Sequence, residues 1–314
     1  MAVISVIIPL FNKEQFIKKT LLSVLNQTFS DFEILLINDG STDGSIDIVT
    51  SFDDERITLY TTKNKGVSHA RNYGISKSNS DLIAFLDADD LWESNHLENL
   101  HRLYTSFPNC GLYATAYSKQ FFNGKKMKAH FNGVSSDHFG IIEDYFSASI
   151  IDSIAWTSAV LIPKKTILEI GGFDEEMRSG QDTDLWVRIA LKKLVAFSAI
   201  ATSNKIILEP KHHLSYSSSR IDRMKLFKNF KDLDTSNIPF KKYMDLNRFS
   251  VAIERKIAGD SSSYRQLKKE IDPLNLNYKQ RVLLNTPPII IGFLKQFQNV
   301  LLRCNIYLSP YKKH

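Results

Sequence analysis

Four apolar runs alternate with amphipathic segments over roughly the first ninety residues of the 314-residue chain, and this alternation constrains the fold more than any other feature. The runs are VISVIIPLF, FEILLIND, RITLYT and DLIAFLD, each of strand length, and the first is rich in β-branched residues. The segments between them have helical periodicity. Strands that are apolar on both faces and separated by helices predict an α/β fold with a doubly wound, mostly parallel sheet.

The pattern is looser beyond residue 100. We expect a helix over NHLENLHRLYTSF, a hairpin that turns at Asn123-Gly124, a strand over AWTSAVLIP and a helix that ends at Gly171. The segment TDLWVRIALKK predicts a further helix. The remaining chain is rich in lysine and mainly helical by pattern, with a break at Pro287-Pro288.

The charge is distributed unevenly along the chain. Residues 220–314 carry 19 Lys and Arg against 8 Asp and Glu, a balance of +11, whereas residues 1–219 have a balance of −5. Such a split indicates an acidic part that uses carboxylates and a basic part that meets something anionic. The sequence therefore predicts an α/β domain over 1–219, with halves at 1–100 and 101–219, and a basic helical region over 220–314.

The composition indicates the cellular compartment in which the protein is expected. Hydrophobic residues make up 43% of the chain, which is enough for one substantial core. The only cysteines are Cys110 and Cys304, too few for a disulfide scaffold, so a cytoplasmic location is expected. The run MAVISVIIPLF lacks a basic leader and a small-residue cleavage site, and we interpret it as a first strand. No window approaches the roughly 18 apolar residues of a spanning helix.

A carboxylate follows the second predicted strand. Ligands of open α/β sheets bind beyond the carboxyl ends of the strands, so NDGSTDGS and DADD are expected on one rim. Asp39 is positioned to accept hydrogen bonds from a nucleotide base or ribose. The alternative for this segment is that Asp43 or Ser41 caps the next helix, which leaves Asp39 unexplained.

Three further acids follow the fourth predicted strand. Asp87 and Asp89 are two residues apart, so on an extended segment they point the same way. Hard oxygen ligands suit Mg²⁺ or Mn²⁺ holding a diphosphate. The alternative is a solvated turn in which Asp90 caps the following helix.

The third acidic cluster lies in SGQDTDLWVRIA. Asp182 and Asp184 precede a helix, so one of them is expected to cap it. The other is a candidate general base toward a sugar hydroxyl. His212 and His213 could add a metal or phosphate contact, although paired histidines are more often structural or exposed.

Six stretches together resemble family 2 of the inverting glycosyltransferases, which have the nucleotide-diphospho-sugar GT-A fold. The resemblance covers about the first 215 residues, with the stretches in family order. They are SVIIPLFNKEQFIKKTLLSVLNQTF, FEILLINDGSTDGS, KNKGVSHARNYGI, LIAFLDADD, IGGFDEEM and GQDTDLWVRIA. The resemblance makes 1–219 a catalytic domain, with a nucleotide-binding half at 1–100 and an acceptor half at 101–219.

The resemblance also implies a nucleotide-sugar site. Pro9 and Asp39 would line the nucleotide pocket, with Asp39 on the uracil or ribose. Lys65 and Arg71 would lie near the base or diphosphate, and Asp87 would contact ribose or metal. For Arg71 the alternative is a salt bridge on the helix surface.

The metal and the base follow from the same resemblance. Asp89 would bind Mn²⁺ or Mg²⁺ directly, and Asp182 matches the catalytic base. Gln181 stands where many relatives have Glu. The segment EPKHHLSYSS resembles a degraded arginine-and-histidine motif, in which Lys211 takes the arginine position and His213 is a candidate metal contact.

The implied reaction moves a sugar from a nucleotide-diphospho-sugar, taken to be a UDP-sugar, to a hydroxyl of a glycan or polyprenyl-diphosphate-linked sugar. Attack from the opposite face of an α-linked donor would give a β-glycosidic bond. Similar enzymes with basic tails suggest a hexosyltransferase of bacterial surface polysaccharide synthesis.

The basic tail contains the amphipathic segment IIIGFLKQFQNVLLR, with Ile290, Phe293, Leu294, Phe297 and Leu301 on one face. This face could rest in an anionic membrane surface, which would place the protein peripherally on the inner face of the plasma membrane. It could equally pack on the catalytic domain or pair the subunits of a homodimer.

Other functions fit the sequence less well. A nucleotide-sugar-binding protein without catalysis would keep Asp39 and Asp89 but would not need Asp182. A nucleotidyltransferase would have a glycine-rich loop with Arg or Lys after the first strand, and that loop is absent. The chain has no recognisable nucleic-acid motif, so no nucleic-acid partner is expected.

Overall fold

The computed structural model describes residues 2–121, 124–207, 223–233, 237–303 and 310–311, except for the side chains of Asn299, Leu302 and Arg303. Within these ranges the chain forms a ten-stranded sheet with helices on both faces and a helical C-terminal region. The strands are β1 (Ile4–Leu10), β2 (Phe32–Asn38), β3 (Ile57–Thr61), β4 (Leu82–Phe85), β5 (Leu91–Trp92), β6 (Leu112–Phe121), β7 (Lys126–Lys128), β8 (Phe139–Ile141), β9 (Val160–Pro163) and β10 (Val195–Ile207).

The helices alternate with the strands at first and then follow one another. They are α1 (Ile17–Leu25), α2 (Ser45–Thr50), α3 (Val67–Lys77), α4 (His96–Ser106), α5 (Tyr145–Ala148), α6 (Lys164–Ile170), α7 (Gln181–Ala190), α8 (Met224–Asn229), α9 (Ile238–Ile257), α10 (Ser261–Glu270), α11 (Tyr278–Asn285) and α12 (Pro288–Arg303).

The sheet has the strand order β3-β2-β1-β4-β9-β6-β10-β5, with β7 paired to β6 and β8 paired to β10. The first four strands are parallel, as predicted. Strand β9 runs antiparallel between β4 and β6, and β10 runs parallel to β6. The predicted α/β class is therefore confirmed, with a parallel first half and a mixed second half.

The alternating pleat of β1 explains why its sequence is apolar throughout. Ile7 belongs to one core cluster, whereas Val6 and Ile8 belong to the cluster on the other face of the sheet. All three side chains are fully buried. A strand buried on both faces requires a continuous apolar run, which is the pattern that predicted it.

The direction of β10 matters for the site. Because β9 is antiparallel to both of its neighbours, β6 and β10 run in the same direction as β4. The carboxyl ends of β1, β2, β4 and β10 therefore meet at one edge of the sheet. The sequence patterns did not predict β10, β8, β5 or α5.

Several local predictions are confirmed. Strands β6 and β7 pair as a hairpin, with Gln120 opposite Lys126, although Asn123 of the predicted turn lies outside the described residues. Gly171 ends α6 with a left-handed φ of 93°. Helix α11 ends at Asn285 and α12 begins at Pro288, so the helical structure is interrupted at the proline pair, as predicted.

The helices beyond residue 223 pack on the α/β core. Asn237 caps helix α9, because its side chain accepts a hydrogen bond from the Phe240 backbone N–H. The rings of Phe240 and Tyr243 lie 4.9 Å and 5.6 Å from that of Phe146 in α5.

The domain boundary at residue 219 stays a prediction, since residues 208–222 lie outside the described ranges. Among the residues that can be described, no helix is long and apolar enough to cross a bilayer.

Candidate active site

A cleft of about 710 Å³ opens at the carboxyl edge of the sheet. It collects residues that are far apart in the chain, from the ends of β1, β2, β4 and β10 and from the start of α7. Six of the predicted site residues line it, namely Pro9, Asp39, Arg71, Asp87, Asp89 and Asp182. The expectation that NDGSTDGS and DADD share one rim is therefore met by the geometry.

Asp39 directly follows β2 and is buried. Its two carboxylate oxygens accept hydrogen bonds from the backbone N–H groups of Lys65 and Gly66, at 2.9 Å and 2.8 Å. Gly66 has a φ of 97°, which disfavours other residues there and lets the loop fold onto the carboxylate. The side chain of Lys65 does not line the cleft, whereas its neighbours Asn64 and Gly66 do.

Arg71 on α3 is buried beneath the cleft floor. Its Nη2 donates to Asp87 Oδ1 at 2.7 Å, and its guanidinium lies 5.2 Å from the ring centroid of Phe173. Nε and Nη1 find no acceptor among the described residues, which is unfavourable for a buried guanidinium. Arg71 does form a salt bridge, but the alternative of a pair on the helix surface is wrong, because the Arg71 side chain is 5% exposed and Asp87 faces the cleft.

The segment after β4 is a turn rather than an extended strand end. The Asp90 N–H donates to the Asp87 carbonyl at 3.0 Å. The prediction that Asp87 and Asp89 point the same way because they lie on an extended segment is therefore wrong. The turn nevertheless brings Asp87 and Asp89 to the same cleft.

Asp90 does not cap a helix, since α4 begins only at His96. Its buried carboxylate instead accepts hydrogen bonds from Ser158 Oγ at 2.7 Å and from the Ile206 N–H at 3.0 Å. Burial, with the charges of Asp89 and Asp87 nearby, raises the pKa of Asp90 well above its usual value. Asp90 therefore fastens the acidic turn to β10.

Asp89 pairs with a lysine that sequence reasoning missed. Its Oδ2 lies 2.5 Å from Lys13 Nζ, in the loop after β1. Asp89 Oδ1 and Asp87 Oδ2 have no hydrogen-bond or ion-pair partner among the residues described. These two free carboxylate oxygens fit a hard divalent cation that keeps waters and phosphate oxygens as its other ligands. No cluster of three or more His, Cys, Asp or Glu side chains that could hold a metal occurs in the described ranges.

Helix α7 places the third acid. It begins at Gln181 after Gly180, which has a left-handed φ of 75°. Asp182 in the first turn accepts weakly from Thr157 Oγ1 at 3.4 Å and from the Thr183 N–H at 2.7 Å. Asp182 lines the 710 Å³ cleft and also an adjoining pocket of about 300 Å³. A single carboxylate therefore faces two cavities.

The predicted helix cap at this position is wrong. No side chain caps α7, and Asp184 instead lies buried among other groups. It accepts from Arg188 at 2.7 Å and from Asn229 Nδ2 at 3.1 Å. Arg188 in turn donates to the carbonyls of Ile170 and Gly172. Asp184 thus joins α7 to α6 and α8, and it does not line the cleft.

Cationic side chains also line the cleft, and the sequence patterns gave no sign of them. They are Lys13, Arg178, Lys205 and Arg223. Lys205 lies near the carboxyl end of β10, with its Nζ 5.7 Å from the ring centroid of Trp156. A strand assignment for residues 195–207 would have placed Lys205 at this edge. Lys211 and His213 lie outside the described residues.

The cleft lies where open α/β sheets bind their ligands, beyond the carboxyl ends of the strands, and it is lined by both acidic and cationic side chains. Comparison with known proteins specifies the class further. The family model described as "Glycosyl transferase family 2" matches residues 5–167, just over half of the chain, and the chain belongs to this family.

Curated relatives agree with the family. An uncharacterized glycosyltransferase of Rickettsia bellii is 34% identical over 199 residues, which are 62% of this chain and 27% of that protein. The putative teichuronic acid biosynthesis glycosyltransferase TuaG of Bacillus subtilis is 28% identical over 197 residues, 62% of this chain and 74% of TuaG. The match thus spans about a quarter of the Rickettsia protein.

Solved structures agree with the fold. S. aureus TarS has a TM-score of 0.64 at 16% identity, covering 90% of this chain and 52% of TarS. The TarS 1–349 structure in complex with UDP-GlcNAc has a TM-score of 0.58 at 15% identity, covering 86% of this chain and 91% of that one. Similarity at this level of identity shows the fold alone, and it confirms the predicted GT-A fold.

Proposed function

We propose that this protein is an inverting glycosyltransferase that moves a sugar from a UDP-sugar to a hydroxyl of a glycan or lipid-linked acceptor and forms a β-glycosidic bond. One observation carries the proposal. Asp182 lines both the large cleft and the smaller pocket beside it, so one carboxylate faces two cavities. A general base between a donor and an acceptor needs that position. Among the residues that line both cavities, which are Asp182, Thr183, Lys205 and Asn247, Asp182 is the acidic one, and a protein that only bound nucleotide sugars would not need a base there.

The reaction needs one proton transfer and one displacement. Asp182 accepts the proton of the acceptor hydroxyl as that oxygen attacks the anomeric carbon. The bond between the anomeric carbon and the β-phosphate oxygen breaks, and the nucleoside diphosphate leaves with the electron pair. Attack opposite the leaving group inverts the configuration, so an α-linked donor gives a β-linked product.

Binding of the donor falls to the other residues of the cleft. Asp39 keeps further acceptor capacity for the uracil or ribose beside the loop that it holds, and Pro9 lines the same pocket. The unpaired N–H groups of the buried Arg71 support an anionic ligand nearby. Lys205 and Arg223 line the cleft as cations for the diphosphate.

Charge on the leaving group calls for a further cation. Asp89 and Asp87 would hold Mn²⁺ or Mg²⁺ through their free carboxylate oxygens. When bound, such a cation neutralises negative charge on the β-phosphate oxygen. Lys13 and Arg71 keep the two carboxylates in place by engaging the opposite oxygen of each.

The relatives support a role in surface polysaccharide synthesis. TuaG of Bacillus subtilis carries the name of a putative teichuronic acid biosynthesis enzyme, and a TarS structure contains UDP-GlcNAc. By this similarity we assign the protein a sugar acceptor on a polysaccharide or its lipid-linked precursor, and a hexosyl group as the transferred unit.

Calorimetry with a panel of UDP- and GDP-sugars tests the donor and the metal. We expect a UDP-sugar to bind in the presence of Mn²⁺ and to bind at least tenfold more weakly in EDTA. The variant Asp89→Asn should bind equally weakly with and without Mn²⁺, because it loses one anionic ligand of the cation.

The control for this experiment is Asp54→Asn, which removes a carboxylate from an ion pair with Arg56 away from the cleft. Its donor affinity and its response to EDTA should match those of the parent. Equal donor affinity in EDTA and in Mn²⁺ would show that donor binding does not require the metal. Failure of every nucleotide sugar to bind would contradict the proposed function as a whole.

We also propose that the C-terminal helix α12 rests in an anionic membrane surface. Its exposed apolar side chains form one face, and they include Ile289 at 73%, Phe293 at 67% and Phe297 at 58% exposure. The predicted face is only partly reproduced, because Leu301 is half-buried and Ile291 is the side chain that contacts the protein. A cationic C-terminal region complements anionic headgroups, which favours a membrane over a second subunit.

A further inference from the structure

Two more cavities continue from the large cleft in a series. The pocket of about 300 Å³, here called the inner pocket, shares Asp182, Thr183, Lys205 and Asn247 with the cleft. A third cavity of about 570 Å³, the outer pocket, shares Ile150, Ile151, Leu246 and Tyr311 with the inner pocket. The three cavities are therefore neighbours, and they mark a path from the cleft, past Asp182, to the surface of the C-terminal helices.

Helix α9 forms one side of this path. Asn247 and Ser250 line the inner pocket, Leu246 lines both pockets, and Lys242 lines the outer pocket one helical turn earlier. Helix α9 lies beyond the residues matched to the family model, and it lines both pockets as well as the cleft, which it reaches through Asn247 and Val251.

The inner pocket has the chemistry of a sugar site. Its lining includes the Asn247 amide, the Ser250 hydroxyl and the Asp152 carboxylate, together with the aromatic ring of Trp156. Tyr243 also lines this pocket, and burial raises the pKa of its phenol well above the usual value. A pocket of about 300 Å³ lies at the small end of ligand sites, which suits a single sugar ring.

The outer pocket differs in charge and exposure. None of the described residues that line it is acidic, and Lys242 is exposed with no ion-pair partner among the described residues. Leu274 also lines it and is 86% exposed, which leaves a large apolar side chain in water. The combination of a cation, side-chain amides and an exposed apolar surface suits a second sugar unit that carries an acidic group.

We infer that the acceptor is an oligosaccharide of at least two units, with the reacting sugar in the inner pocket and an acidic second sugar in the outer pocket. This inference rests on the proposed function, because it assigns the far side of Asp182 to the acceptor. It goes further by making α9 and Leu274 the part of the chain that selects acceptor length and charge.

The test measures binding of defined mono-, di- and trisaccharides, neutral and uronic-acid-containing, to the full chain with UDP and Mn²⁺ present. We expect uronic-acid-containing disaccharides and trisaccharides to bind at least tenfold more tightly than any monosaccharide. The double variant Lys242→Ala/Leu274→Ser should lose that tenfold advantage and keep the UDP affinity of the parent.

The matched control is Lys228→Ala/Leu168→Ser, which changes an exposed lysine on α8 and a leucine that is 64% exposed on α6. It should bind the disaccharides as the parent does. Failure of the parent chain to bind UDP would contradict the proposed function itself. Intact UDP binding with no preference for two units over one, or an unchanged preference in the double variant, would overturn the outer pocket alone.

Discussion

His96 connects the core to the site through a chain of contacts. Its ring packs against Trp92 with centroids 4.4 Å apart, and its Nδ1 lies 2.7 Å from Thr202 Oγ1. The Trp92 indole N–H donates to the Ser158 carbonyl, and Ser158 Oγ donates to the Asp90 carboxylate of the acidic turn. Burial lowers the pKa of His96 to about 3, so it stays neutral in the folded protein.

This burial predicts a dependence of stability on pH. An unfolded His titrates near pH 6.5, whereas His96 in the folded protein takes up a proton only near pH 3. The stabilisation is therefore complete above about pH 6.5 and is lost as the pH falls toward 3. Between pH 7.5 and 5.0 the loss should be about 2 kcal/mol.

Urea unfolding of the parent and of His96→Gln at these two pH values measures the loss. The variant should be less stable at pH 7.5, but its free energy of unfolding should fall by about 2 kcal/mol less than that of the parent on going to pH 5.0. Equal falls in the two proteins would mean that His96 is not kept neutral by the fold.

The sequence predicted the position of single residues in the fold well where a strand pattern fixed that position. Asp39 and Asp87 follow strong apolar runs, and parallel strands end at one edge. The sequence did not predict partners, since Lys13 and Asp89 are 76 positions apart and Ser158 reaches Asp90 across 68. Long-range pairs of this kind depend on the complete fold and have no local signal.

At the scale of elements, the sequence predicted β1–β4 and α1–α4 because the periodicity of the chain is clearest there. Strand β10 was missed because its middle, SAIATSN, mixes small and polar residues. Its register with β6 also shifts twice, between Ser198 and Ala201 and between Ala201 and Ser203, which breaks the period of two. Lys205 was missed with it.

The exposed face of α12 makes a prediction at this scale. Replacing two phenylalanines by Phe293→Ser/Phe297→Ser should reduce co-sedimentation with anionic liposomes by at least about tenfold, because each fully buried Phe contributes roughly 1.5–3 kcal/mol. Both side chains are more than half exposed, so the fold should tolerate the change.

The control variant is Leu168→Ser on α6, which removes an apolar side chain of similar exposure from another surface. It should bind liposomes as the parent does. Unchanged liposome binding by the double variant would contradict the proposed membrane contact. A parental dimer that dissociates in the double variant would instead assign the α12 face to subunit pairing.

At the scale of the whole molecule, the proposed function depends on where Asp182 lies relative to two cavities. The cleft was predictable in outline, because the parallel strands and the acidic segments that follow them were. The inner pocket was not, because it combines α7, β10 and α9 with residues 149–156, which are far apart in the chain. Helix α9, which packs against α5, provides one side of that space.

The central claim is that Asp182 is the general base, and Asp182→Asn tests it most directly. The substitution preserves the size of the side chain and removes the basic carboxylate. Transfer should be measured as UDP release with the best acceptor from the oligosaccharide panel, alongside donor affinity by calorimetry. Asp184→Asn is the control, expected to lower thermal stability through its buried contact with Arg188 while transfer continues.

For Asp182→Asn we predict that donor affinity changes by less than about twofold while transfer falls at least 100-fold, since general-base assistance typically contributes about 10²–10⁴ in rate. Transfer by Asp182→Asn at close to the parental rate would contradict the account. A loss of transfer in Asp184→Asn with unchanged stability would instead move the base to Asp184.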